Sequence, residues 1–139
     1  MNRLPFLALL GAPLGVLLTG CASESPSGLE REVVYQVQWI DERPLLARSH
    51  LTLTLGEDGR AYGTAGCNHW FAPYRLDGEH LRFSEIGSTR KLCSPALMEQ
   101  EQRFLDALGR VERWDVSPLD QLRLWPAQGK PMRLDPERG

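Results

Sequence analysis

The chain has 139 residues and a slightly acidic composition, with 16 Lys and Arg against 18 Asp and Glu and a formal net charge of −2. This balance lacks the basic surface that nucleic-acid binding requires, so we expect no nucleic-acid partner. Residues 29–139, which follow an N-terminal leader, are enough for one domain with a modest core and too few for two.

The leader has the pattern of a secretory signal peptide. Arg3 places a positive charge near the start, and residues 4–18 are apolar apart from Gly and Pro. A helix of that length would span only about 22 Å, less than the ~30 Å apolar core of a bilayer. Thr19 and Gly20 are small residues that suit a cleavage site. We therefore predict a cleavable signal peptide over residues 1–20, and not a transmembrane helix.

A lipid-attachment motif ends the leader. The run Leu18-Thr19-Gly20-Cys21 resembles the bacterial lipobox, in which the Cys sulfur receives a diacylglyceryl group and the new N-terminal amine is acylated. The resemblance implies a lipoprotein held on a membrane by lipid on Cys21, because more than one acyl chain anchors stably. Residues 21–28 are then a lipidated flexible tether, and the domain of residues 29–139 faces the periplasm. Ala22 favours the outer membrane under the bacterial sorting rule.

Short segments with alternating apolar and polar residues follow the tether, and they predict half-buried antiparallel strands. In chain order the predicted strands are 33–39, 51–55, 60–63, 71–76, 80–83, 111–116, 121–125 and 132–134. Turn-forming residues separate them, including Gly56-Glu57-Asp58-Gly59 and Asp77-Gly78.

One segment has helical periodicity instead. Ser94 suits an N-cap, Pro95 the first helical position and Gly109 the stop, which predicts a helix over 95–108. Its apolar positions are Leu97, Phe104, Leu105 and Leu108, and its polar positions Glu99, Gln100, Gln102, Arg103 and Asp106 are expected to face water. The sequence thus predicts an α+β fold, a curled antiparallel sheet or open barrel of about eight short strands with one amphipathic helix.

A motif in the middle of the chain consists of Gly66, Cys67, Asn68, Trp70, Tyr74, Thr89 and Cys93, followed by the helix with Glu101, Phe104 and Leu108. This order of residues resembles that of the META domain, the module of HslJ-like heat-shock lipoproteins. The resemblance covers most of residues 33–134. The chain departs from the family pattern at Tyr35, where a Trp is usual, and at Glu42 and Ala72, where a Gly is usual.

The resemblance implies a role in envelope stress, through association with heat shock and tolerance of the antibiotic novobiocin, and it implies no catalytic residue and no cofactor. We expect a non-enzymatic envelope module that binds a protein, a peptide or a small apolar ligand. The alternative is an accessory or inhibitor that binds an envelope protein through a sheet edge. A hydrolase is a third hypothesis, but the sequence offers no nucleophile–base pair.

The three cysteines have two expected roles, lipid attachment for one and a disulfide for the other two. If Cys21 carries lipid, Cys67 and Cys93 remain in a compartment where disulfides persist, and we expect them to pair. Two other interpretations stay open at this stage. Cys67 and His69 could form a nucleophilic pair, although adjacent residues seldom reach the geometry required. Cys67, His69, His80 and Cys93 could bind a metal, although their spacing matches no standard zinc pattern, and we expect no metal site.

Three further features have both a structural and a binding interpretation. Asn68 is expected to pin its loop by hydrogen bonds, and Gly66, Trp70, Tyr74 and Thr89 are expected to have structural or binding roles. The hydroxyls and cations of residues 88–91 could hold an anion, but a solvated loop is the preferred interpretation. The aromatic residues Trp39, Trp70, Phe71, Tyr74, Trp114 and Trp125 are expected mainly in the core, with some available to line a groove or barrel mouth.

Overall fold

The computed structural model describes residues 28–138, together with residues 5, 10–12, 15 and 20. Cys21, residues 22–27 of the tether and most of the leader lie outside the described residues. Within the described residues, no helix is both long enough and apolar enough to cross a membrane.

Ten strands and one helix make up the described domain. The strands are β1 (Val34–Ile40), β2 (Arg43–Pro44), β3 (Thr52–Leu55), β4 (Arg60–Thr64), β5 (His69–Asp77), β6 (His80–Phe83), β7 (Gly87–Ser88), β8 (Val111–Val116), β9 (Leu122–Pro126) and β10 (Met132–Pro136), and the helix is α1 (Pro95–Gly109). All eight predicted strands and the predicted helix are present. The strands β2 and β7 have two residues each and were not predicted.

Eight of the strands form a closed antiparallel barrel. They follow the order β10-β9-β8-β6-β5-β4-β3-β1, and β10 pairs back with β1. The closing pair sets Tyr35 opposite Pro136 and Val37 opposite Leu134. The short strands lie outside this ring, with β2 paired to β1 and β7 paired to β5. The predicted α+β class is confirmed, and the barrel is closed.

Alternate side chains of each strand point inward and fill the barrel, which accounts for the period-two pattern of the sequence. The interior is built mainly from leucines, and those with at most 2% exposure are Leu51, Leu53, Leu55, Leu81, Leu122, Leu124 and Leu134. Trp70, 1% exposed, contacts Phe83 and Phe104 edge-on, with ring centroids 6.0 and 5.9 Å apart. The interior is therefore a packed core and not a channel.

The helix covers one end of the barrel. Ser94 is its N-cap, Pro95 lies in its first turn, and it ends at Gly109. Its buried side chains are Gln100, Glu101, Phe104 and Leu108. Gln100 was expected to face water, but it is 1% exposed and its Oε1 accepts a hydrogen bond from the Leu46 N–H at 2.7 Å. That prediction was wrong because the loop after β2 folds over the helix and covers a position that periodicity alone assigned to the surface.

The residues just before β1 cross the opposite end of the barrel. The Glu32 N–H bonds to the Leu55 carbonyl at 2.9 Å, and the Arg31 Nε donates to the Tyr74 hydroxyl at 3.0 Å. Leu29 and Val33 pack against the core from the same side. Within the part of the chain that the structure describes, the core residues lie between residues 29 and 134.

Candidate functional site

Most of the motif residues, from Gly66 to Trp70 together with Thr89 and Cys93, lie at the helix-covered end of the barrel, where β5 begins, and Tyr74 lies further along β5. Gly66 has φ +103°, a left-handed conformation that explains a glycine there. Cys67 and Cys93 form a disulfide with their Cα atoms 6.0 Å apart, which confirms the predicted pair. The bridge joins the loop before β5 to the loop before α1. While it is intact, neither sulfur is free to act as a nucleophile or a metal ligand.

Asn68 is the centre of a buried hydrogen-bond network. It is 3% exposed, and its Oδ1 accepts from the Thr89 hydroxyl at 2.9 Å and from the Lys91 N–H at 2.7 Å. Its Nδ2 donates to the Lys91 carbonyl at 3.1 Å and to Glu101 Oε2 at 2.9 Å. The amide thus fixes residues 89–91 to the start of β5, and the Thr89 hydroxyl and Lys91 backbone are engaged inside the protein.

Glu101 completes the network, although it was not among the predicted site residues. Its Oε1 accepts the Asn68 backbone N–H at 2.7 Å, so both carboxylate oxygens bind the same asparagine. The carboxylate is 4% exposed and is satisfied by these two donors. The burial of Glu101 could have been predicted from the sequence. Glu101 precedes Phe104 by three positions and Leu108 by seven, and it therefore shares their buried face of the helix.

Trp70 and Tyr74 are buried along β5, and Tyr74 also borders a surface pocket that Arg75, Leu76 and Asp77 line. The Trp70 Nε1 donates to the Thr52 carbonyl at 2.9 Å, and the Tyr74 hydroxyl donates to the Gly56 carbonyl. Of the other aromatics, Trp39 and Phe71 are 40% and 43% exposed, and Trp114 and Trp125 are half-buried. The motif therefore builds the fold, since its polar and aromatic side chains bond inside the molecule.

Trp125 lies on the outer face of the barrel within a charged cluster. The Arg113 guanidinium lies 4.7 Å from the centre of its ring and that of Arg123 5.4 Å. Asp115 accepts from Arg123 at 2.7 and 2.8 Å and from the Trp125 Nε1 at 2.9 Å. Partial burial raises the pKa of Asp115, but the hydrogen bonds from Arg123 and Trp125 outweigh this effect, so the pKa lies below its ordinary value.

A cleft opens at the end of the barrel opposite the helix. It has a volume of about 620 Å³, and its apolar lining comes from Val33, Tyr35, Val116, Leu122 and Pro136. Polar residues around it are Glu30, Ser117, Asp120, Glu137 and Arg138. Its size is in the range of small-molecule sites, and its lining is mostly apolar. None of the motif residues lines this cleft, so the resemblance gave no signal for it.

Tyr35 forms the inner wall of the cleft. Its hydroxyl accepts the Glu30 N–H at 3.0 Å, which holds the residues before β1 beside the cleft. Burial raises the pKa of the Tyr35 phenol above its ordinary value, and the hydrogen bond from Glu30 opposes this effect without cancelling it. The phenol is therefore neutral at physiological pH, and the inner wall is uncharged.

The described chain offers no ready metal centre. Within residues 28–138, no three His, Cys, Asp or Glu side chains cluster closely enough to hold a metal ion. The four residues considered as ligands are not brought together. Cys67 and Cys93 bond to each other, and His80 pairs with Arg113 between β6 and β8.

Comparisons with solved structures show the same fold. An NMR structure of a protein from Burkholderia xenovorans is similar, with a TM-score of 0.63 and 24% identity over 78% of this chain and 84% of that one. A second NMR structure has a TM-score of 0.60 and 19% identity, over 76% and 89% of the two chains. No curated protein matches the sequence significantly.

The family model of the META domain matches residues 29–139. The match spans most of the chain and contains the barrel, the helix, the disulfide and the Asn68 network. The chain belongs to the META domain family.

Proposed function

We propose that this protein is an envelope lipoprotein, anchored by lipid on Cys21, whose META domain is a non-enzymatic module that binds a small apolar ligand. The leader and the Leu18–Cys21 run support export and anchoring. Membership of the family supports a role in maintaining the envelope under stress such as heat or antibiotics. The buried bonding of the motif residues supports a structural role for them.

The cleft at the barrel mouth is the observation that carries the binding proposal. Its walls are apolar side chains from the segment before β1 and from β1, β8, β9 and β10, all held by the closed barrel. Because these strands are paired on both sides, the walls are preorganised and a ligand does not have to order them. An apolar molecule that enters the cleft gains about 25 cal/mol for each Å² of apolar surface removed from water.

The closed sheet favours this cleft over a sheet edge as the binding surface. Within residues 28–138, each of the eight barrel strands has a hydrogen-bonded neighbour on both sides. The remaining edges belong to β2 and β7, which have two residues each. A peptide that added a strand would find little backbone to pair with.

Binding can be tested with N-phenyl-1-naphthylamine, a neutral probe whose fluorescence rises in apolar surroundings, on residues 21–139 carrying Cys21→Ser. We expect saturable binding that Val116→Trp weakens at least fivefold, because the larger ring occupies part of the cleft and covers its apolar wall. Val34→Trp is the matched control, since Val34 lies on the outer face of β1. No binding, or equal loss in both variants, would overturn the proposal.

A further inference from the structure

The cleft has an uneven distribution of charge. Three carboxylates, those of Glu30, Asp120 and Glu137, surround it, against the single guanidinium of Arg138. None of the ion pairs within residues 28–138 involves Glu30 or Asp120. Glu137 lies 3.3 Å from the His50 Nε2, and both side chains are largely exposed. The mouth of an otherwise apolar cleft therefore carries net negative charge.

The loop that carries Asp120 is held in place by its backbone. Residues 117–121 connect β8 to β9, and the Asp120 N–H bonds to the Ser117 carbonyl at 2.9 Å. Asp120 has φ +60°, a left-handed conformation that aspartate tolerates better than most residues. The Ser117 hydroxyl accepts the Gln121 N–H at 3.1 Å. These bonds fix the backbone of Asp120, which lines the cleft.

The same loop carries an apolar side chain in water. Leu119 is 90% exposed and directly precedes Asp120, which lines the cleft. An exposed leucine on a loop that borders an apolar cleft adds apolar surface near it. The mouth thus offers apolar contact and carboxylates together, which is the complement of a molecule with an apolar body and a positive charge at one end.

We propose that the ligand of this cleft is a cationic amphiphile, with an apolar body against Val33, Tyr35 and Val116 and an ammonium group between Glu30 and Asp120. This inference rests on the proposed function, because it names the ligand class of the same cleft. The apolar body supplies most of the affinity and the carboxylates supply the selectivity, since partly exposed ion pairs discriminate more than they stabilise. An anionic amphiphile would place like charge beside both carboxylates.

Three competitors with the same apolar body test the selectivity. Decyltrimethylammonium, decanol and decyl sulfate would each displace N-phenyl-1-naphthylamine from residues 21–139 carrying Cys21→Ser, below their micelle concentrations. We expect the cation to displace the probe at about one-tenth the concentration that the sulfate needs, and this ratio to shrink in high salt. In Glu30→Gln/Asp120→Asn the ratio should fall close to one. The matched control is Glu99→Gln/Asp106→Asn, which removes two exposed carboxylates from the helix at the other end of the barrel.

The outcomes separate the two proposals. Equal displacement by all three competitors would overturn the inference and leave the apolar site standing. A preference for the cation that persists in the double variant of Glu30 and Asp120 would also overturn it, because the charge would act elsewhere. If neither the probe nor any competitor binds, the proposed function fails together with the inference. A preference lost in that variant and kept in the helix control would support both.

Discussion

At the scale of single residues, the polar motif is explained by hydrogen bonding inside the fold. Asn68 uses its backbone N–H and both ends of its amide on Glu101, Thr89 and Lys91. An amide is needed because it must donate to a carboxylate and accept from two donors at once. A buried carboxylate without this partner would lose most of the compensation for its burial.

Asn68→Asp is therefore expected to destabilise the domain by about 3–5 kcal/mol, the cost typical of leaving a buried charge without compensation. The new carboxylate would face that of Glu101 and could not donate to it. Urea unfolding followed by tryptophan fluorescence measures the loss. His69→Ala is the control, since the neighbouring His69 side chain is exposed. A loss under about 1 kcal/mol, the size of an ordinary single hydrogen bond, would show that the network contributes little to stability.

Asp115 provides the pH-dependent interaction at this scale. The pKa of Asp115 is lower in the folded state than its ordinary value of 3.8. The contribution of Asp115 to stability is therefore fully present above pH 3.8, and it is lost as the pH falls through the folded-state pKa. We expect Asp115→Asn to lower the urea midpoint at pH 7, and the difference from the parent protein to disappear once the pH falls below the folded-state pKa of Asp115. Glu99→Gln, on the exposed face of α1, serves as the control. An Asp115→Asn effect that is unchanged at low pH would contradict this.

At the scale of elements, alternation and capping residues located every barrel strand and the helix to within a few residues. Strands β2 and β7 were missed because two residues cannot show a period of two. Glu42, which occupies a position where the family uses Gly, has φ +62° in the turn between β1 and β2. A departure seen in the sequence thus corresponds to a backbone position that favours Gly. The buried state of Gln100 needed the fold of a distant loop, which no local pattern contains.

The disulfide is the covalent link between elements, and its removal gives a quantitative prediction. It closes a loop of 26 residues, for which the chain-entropy model gives roughly 3.5 kcal/mol. The double variant Cys67→Ala/Cys93→Ala should lose about that much stability in urea unfolding. Cys21→Ser in the same chain is the control and should leave the midpoint unchanged. Two reactive thiols in denatured, unreduced protein would show that the bridge does not form.

At the scale of the whole molecule, closure of the barrel could not be predicted from the sequence. A period of two tells which face of a strand is buried, but it does not name the partner strand. Closure depends on pairing between β1 and β10, at opposite ends of the domain. The cleft escaped prediction for the same reason, because its apolar walls come from segments that meet only when the barrel closes. The motif, in contrast, is confined to neighbouring elements, and its resemblance to the family pattern located its residues.

The last prediction concerns the proposed anchoring of the whole molecule to a membrane. The domain begins near Gly28. This glycine lies beside the Trp114 ring at the cleft end of the barrel, since a Cβ built on it would be 3.6 Å from the ring. Cys21 and Gly28 are seven positions apart. This stretch reaches at most about 25 Å when extended, so lipid on Cys21 would keep the cleft close to the membrane surface. We expect the protein to partition with membranes and Cys21→Ser to prevent lipidation. Mass spectrometry of the N-terminal peptide measures the modification directly, with Ser23→Ala as a control that should stay lipidated. An unmodified Cys21 in the native host would remove the anchor while leaving the binding test of the isolated domain unaffected.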